Sequence, residues 1–116
     1  MRVTEVDIPG LVVFEPVLYA DERGSFMESF NTERYLPWIP ETFVQDNESV
    51  SKQSVLRGLH LQRQPYAQGK LVRVIQGEVL DVAVDLRPGS KTFGQHHKLK
   101  LSGDNKKQFW IPPGFA

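Results

Sequence analysis

Glu78-Val79-Leu80-Asp81-Val82-Ala83-Val84-Asp85-Leu86 alternates apolar and polar or small residues with a period of two. Successive side chains of an extended chain point to opposite faces, so this spacing predicts a half-buried strand and not a helix. Leu80, Val82, Val84 and Leu86 are expected to face a core, with Asp81 and Asp85 turned away from it. Gln76-Gly77 on one side and Arg87-Pro88-Gly89-Ser90 on the other carry turn chemistry and bound the strand.

Outward from there the same pattern recurs. Lys70-Leu71-Val72-Arg73-Val74-Ile75 precedes it as a strand, and the alternating run Gly94 to Leu101 follows. Gly103-Asp104-Asn105 then turns the chain back toward Gln108-Phe109-Trp110-Ile111. Near the amino end, Val3 to Ile8 and the β-rich run Leu11 to Tyr19 read as two short strands parted by Pro9-Gly10, and a charged turn at 21–24 leads into a strand-like pattern. Asn31 is a plausible cap for a brief helix over Thr32 to Leu36, which Pro37 and Pro40 stop. Phe43 to Val50 begins as a strand and ends polar, with Gln45 and Asn47 on one face if extended. No long amphipathic helix and no internal repeat stands out, so the predicted class is all-β, an antiparallel sandwich or barrel with one short helix.

Composition narrows the function classes. A chain of 116 residues is one domain, 1–116, burying about 65% of its unfolded surface. Fourteen basic and fourteen acidic residues give zero formal charge, so there is no overall pull toward nucleic acid or anionic membrane. The absence of cysteine excludes a disulfide framework, a thiolate metal site and a sulfur nucleophile. With no apolar signal core and no membrane-length run, the expected location is cytoplasmic.

Val55-Leu56-Arg57-Gly58-Leu59-His60-Leu61-Gln62 sets a titratable imidazole within an apolar run, which reads as a strand facing a packed interior. Lys70 opens the following run and Arg57 lies three residues before the imidazole. A base between two cations suits removal of a proton beside a carbonyl, where fixed positive charge stabilises the developing enolate. Arg57 and His60 are an odd number apart and would point to opposite faces of a regular strand, so a local irregularity is expected at Gly58. His96 and His97 are adjacent and cannot both face one site; beside Lys98 and Lys100 they read as sheet surface and stay outside it.

Taken together, Asp21-Glu22-Arg23-Gly24, Phe43 to Asn47, Arg57 to Gln62, Gln68 to Arg73, Gly77 to Asp85, Thr92-Phe93-Gly94 and Trp110-Ile111-Pro112 occur in an order and spacing that is specific. The chain resembles the dTDP-4-dehydrorhamnose 3,5-epimerase family, cupin jelly rolls of the rhamnose pathway. The resemblance implies a cofactor-free isomerase that inverts the third and fifth carbons of dTDP-4-dehydro-6-deoxy-glucose. It implies His60 as the base, Lys70 and Arg57 near the keto oxygen and phosphates, and Arg23, Glu28, Gln45 and Asn47 holding the nucleotide sugar in a homodimer. Other cupins hold a metal through a His-x-His pair and a glutamate; here Gln62 stands at the second histidine and Lys70 at the glutamate, which implies no metal. The family chain continues beyond the match to Gly114-Phe115-Ala116 and there supplies the tyrosine acid, so these residues are expected to form the first two thirds of a cupin domain, poorly active alone. None of Tyr19, Tyr35 and Tyr66 matches that acid. The alternatives are a dTDP-sugar ketoisomerase of the same fold and a non-catalytic nucleotide-sugar-binding module.

Overall fold

A computed structural model describes residues 1–116. Its centre is a four-stranded antiparallel sheet in the order β1 (Arg2–Glu5), β2 (Val12–Glu15), β8 (Gln108–Ile111), β5 (Lys70–Arg73). Two hairpins accompany it: β3 (Tyr19–Asp21) with β4 (Gly24–Phe26), and β6 (Glu78–Val84) with β7 (His96–Ser102). The single helix, α1 (Thr32–Tyr35), begins where the sequence places it, for the Asn31 side chain accepts the backbone N–H of Arg34 at 3.2 Å.

The central sheet is covered on both faces, and alternation decides which residue serves which side. Val13 of β2, Phe109 and Ile111 of β8 and Val72 of β5 point to a core shared with Ala83 and Leu101 of the β6–β7 hairpin. Val12 and Phe14, Trp110 and Leu71 point the other way, onto Tyr35, Trp38, Ile39 and Phe43. This explains why Val12-Val13-Phe14 and Phe109-Trp110 are continuous apolar runs: a strand with no solvent face has no polar positions to alternate with. One polar residue lies in that layer, Gln108, and both ends of its amide are used. Its Oε1 accepts the Tyr35 hydroxyl at 2.8 Å and its Nε2 donates to the Ser29 carbonyl at 2.7 Å.

Two sequence expectations are corrected. Along β6 and the residue that follows it the inward face is Asp81, Ala83 and Asp85, while Leu80 is 65% exposed. The cause is local: the fully buried Asp85 carboxylate accepts five hydrogen bonds, from the Arg87 backbone N–H, Arg87 Nε and Nη2, and the Ser90 and Thr92 hydroxyls. A charge with its own internal donors can be interior. The second correction concerns Phe43 to Val50 and Val55 to Gln62, which lie in no strand. Within residues 1–116 neither stretch finds a ladder partner; Phe43 packs against Trp110, but the apolar side chains after it are exposed, Val44 at 93% and Leu56 at 92%.

Candidate active site

The site begins with Lys70, the first residue of β5. It is paired in register with Ile111 of β8 and shares a face with Val72, the face turned toward the β6–β7 hairpin. Across that space Asp81 points inward from β6 beside Ala83. The chain leaving β8 then crosses between the two layers: Ala116 and Val84 exchange backbone hydrogen bonds at 2.8 and 3.0 Å, and the Leu86 N–H donates to the Gly114 carbonyl at 3.1 Å. This crossing brings Phe115 opposite Asp85 and closes one end of a cavity of about 150 Å³.

The segment 57–62 forms another wall. Gly58 has φ of +114°, a region that L side chains rarely adopt. Arg57, before this break, and His60, after it, both line the cavity despite their odd spacing. The irregularity expected at Gly58 is present, as a break in a strandless segment and not as a bulge in a ladder. Arg57 Nε donates to the Ser51 hydroxyl at 2.9 Å.

His60, Lys70 and Arg57 therefore open into one shared space, with Gln62, Gln68 and Asp81 completing its polar side and Val72, Ile111 and Phe115 among its apolar lining. Asp81 is the residue that sequence reasoning missed. Its assignment to the solvent face followed from counting leucines and valines; the small Ala83 between two aspartates was the signal that this face packs inward. Burial pushes its carboxyl above the ordinary carboxylate value, while a bond from the Val82 backbone N–H and the Lys70 charge act against that rise. Two cations beside one imidazole suit charge stabilisation of an oxyanion, and this donor set is a poor match for a divalent metal ion.

The other four residues singled out in the sequence lie elsewhere. Arg23 is bound to Asp21 on the exposed β3–β4 hairpin, with Nη2 2.6 Å from Oδ2. Glu28 pairs with Arg34 at 3.3 Å and accepts the Asn31 amide at 3.4 Å, beside the start of α1. Gln45 and Asn47 do share one side of the chain, their amides 3.1 Å apart, but in the exposed stretch before the cavity wall. Of the two histidines left outside the site, His96 is exposed and His97 Nδ1 pairs with Asp7 at 3.2 Å.

Comparison with known proteins gives a consistent result. A family model described as dTDP-4-dehydrorhamnose 3,5-epimerase matches residues 5–116. Among curated relatives, dTDP-4-dehydrorhamnose 3,5-epimerase of Shigella flexneri is 54% identical over 100% of this chain and 65% of its own length. That of Methanothermobacter thermautotrophicus is 51% identical over 99% of this chain and 62% of its own. The chain thus spans just under two thirds of the length of these relatives. Among solved structures, dTDP-6-deoxy-D-glucose-3,5-epimerase from Legionella pneumophila, in complex with dTDP-4-keto-L-rhamnose, superposes with a TM-score of 0.95 at 56% identity, covering 99% of this chain and 62% of that one. A 3'-monoepimerase from Streptomyces bikiniensis, in complex with dTDP-quinovose, superposes at 0.87 with 32% identity over 95% of this chain and 57% of that one. The all-β architecture is that of the cupin-type jelly roll, incomplete relative to these structures at its carboxyl end.

Proposed function

The chain belongs to the dTDP-4-dehydrorhamnose 3,5-epimerase family, and on that premise we propose that it serves an isomerase that inverts C3 and C5 of dTDP-4-dehydro-6-deoxy-glucose, giving dTDP-4-dehydro-rhamnose. Hydrogens on both carbons are acidic because the C4 ketone takes up the charge as an enolate. His60 removes the proton, and Lys70 and Arg57 stabilise the enolate oxygen. Return of a proton to the opposite ring face, from a donor across the sugar, completes each inversion. Protons lost and gained balance, so no redox partner is needed. We assign Arg23, Glu28, Gln45 and Asn47 to the nucleotide part of the substrate, with Arg23 and Glu28 serving a second copy in a homodimer. No helix is long and apolar enough to cross a membrane. We propose a cytoplasmic location on the ground of the nucleotide-linked substrate alone.

The observation that supports this reading is the convergence of His60, Lys70 and Arg57 on one cavity. The test is deuterium wash-in from heavy water into the 4-keto nucleotide sugar by the full-length protein. His60→Ala is expected to slow it by about 10² to 10⁴-fold, the usual worth of a positioned base. An unchanged rate would overturn the assignment. Label at C3 alone would make the protein a monoepimerase, migration of the carbonyl a ketoisomerase, and dTDP binding without any exchange a binding module.

A further inference from the structure

We propose that the apolar part of the cavity wall, Val72, Ile111 and Phe115, is the seat of the sugar's C6 methyl group, and that Arg87 is the positioning residue that fixes its shape. This rests on the function proposed above and goes further, to the residues that select a 6-deoxy sugar.

The chemistry limits where the methyl can lie. C6 is bonded to C5, one of the carbons that gives up a proton, so it sits one bond from the reacting centre and within reach of the same cavity. It is also the substrate's apolar corner, for the ring otherwise carries hydroxyls, the keto oxygen and the diphosphate. In the cavity the apolar and polar parts adjoin in matching order. Lys70, which takes the C4 oxygen, faces Ile111 across the β5–β8 ladder and shares a face with Val72. The ammonium and the apolar wall are therefore neighbours, as the C4 oxygen and the C5 methyl branch are on adjacent ring carbons. Val72, Ile111 and Phe115 all belong to or pack on the inter-sheet core, and none has a side-chain group to pair with a hydroxyl.

The wall is braced from behind. The Arg87 guanidinium lies 4.6 Å from the centre of the Phe115 ring. Two of its nitrogens are held by Asp85 at 3.0 and 2.9 Å, and Asp85 is itself held by Ser90 and Thr92 at 2.6 Å each. Gly114, with φ of +94°, lies so close that a Cβ there would be 2.6 Å from Arg87 Cγ. Phe115 is thus caught between a fixed cation and the core, and it cannot withdraw to admit a larger substituent. Arg87 lines no part of the cavity.

Two stable ligands that differ only in the oxygen on C6 test this without chemistry: dTDP-6-deoxyglucose and dTDP-glucose, titrated calorimetrically against the full-length protein. An apolar pocket discriminates against an added hydroxyl by about 10² at most, so a preference of about 10- to 100-fold for the deoxy sugar is expected. Val72→Thr keeps the side-chain shape and offers a hydroxyl partner, and should narrow that preference at least several-fold. Arg87→Lys keeps the charge but loses the two-nitrogen grip on Asp85, and should narrow it too while the affinity for dTDP alone stays unchanged. A purely structural role for Arg87 would instead weaken dTDP and both sugars together. Equal affinity of the unaltered protein for the two sugars, failure to bind either, or a preference that both variants leave intact would overturn the proposal. Absence of deuterium wash-in with the preference present would overturn the epimerase reading alone.

Discussion

Asp85 carries its charge with no exposed surface, and the Arg87 guanidinium, ahead of the Ser90 and Thr92 hydroxyls, holds its carboxyl well below the ordinary carboxylate range. A depressed folded-state pKa stabilises the protein fully above the unfolded value of about 3.9 and loses that stabilisation as pH falls below it. Asp85→Asn is therefore expected to cost about 1.5–3 kcal/mol at pH 7, the worth of charge-assisted hydrogen bonds. Urea unfolding should show the gap between variant and wild type closing as the pH is lowered toward 3. This residue also explains a misreading. Hydrophobic periodicity counts an aspartate as polar and outward, whereas the Arg87, Ser90 and Thr92 donors that make it interior lie up to seven positions further along the chain. That His60, Lys70 and Arg57 could share one space was legible from charge type and a glycine break; that Asp81 lines the same cavity was not, because it followed Asp85 to the inner face.

At the level of elements, Gly69 shows how closely β5 enters against β8. A Cβ on Gly69 would stand 2.9 Å from Trp110 Cζ3 and closer still to Cη2, so the indole lies directly on the backbone. Gly69→Ala is expected to destabilise by about 1–3 kcal/mol, as overpacking does, and to displace the start of the strand that carries Lys70. A lowered melting temperature together with a loss of dTDP-sugar affinity would register both effects. The helix was readable because its signals are local: Asn31 caps it and Pro37 follows it. The same holds for β6 and β7, joined in a hairpin through the turns that bound them. Phe43 to Val50 and Val55 to Gln62 were expected to be strands because their composition suits one. A strand, unlike a helix, needs an edge supplied from elsewhere, and residues 1–116 give these stretches none.

Across the whole molecule, protection is uneven. Strands β2 and β8 lie inside the central sheet, each with a ladder on both edges and packing on both faces. Residues 44–66 have neither ladder nor cover. Hydrogen exchange of the 116-residue chain is expected to leave the amides of Val13, Phe109 and Trp110 among the slowest, with those of 44–66 exchanging at close to free-peptide rates. Slow exchange across 55–62 would mean that the segment pairs in solution. The layered core was foreseeable from its apolar runs, but which layer each run joins depends on the crossing of Gly114–Ala116 onto β6, a contact between distant segments that no local pattern announces. That same arrangement gives the two partners of the proposed chemistry unequal footing. Lys70 is paired in the β5–β8 ladder of the central sheet, whereas His60 lies on a stretch that no ladder holds in residues 1–116. In the 116-residue chain the imidazole should therefore lose its fixed position at milder warming than the ammonium does, and regain it on cooling.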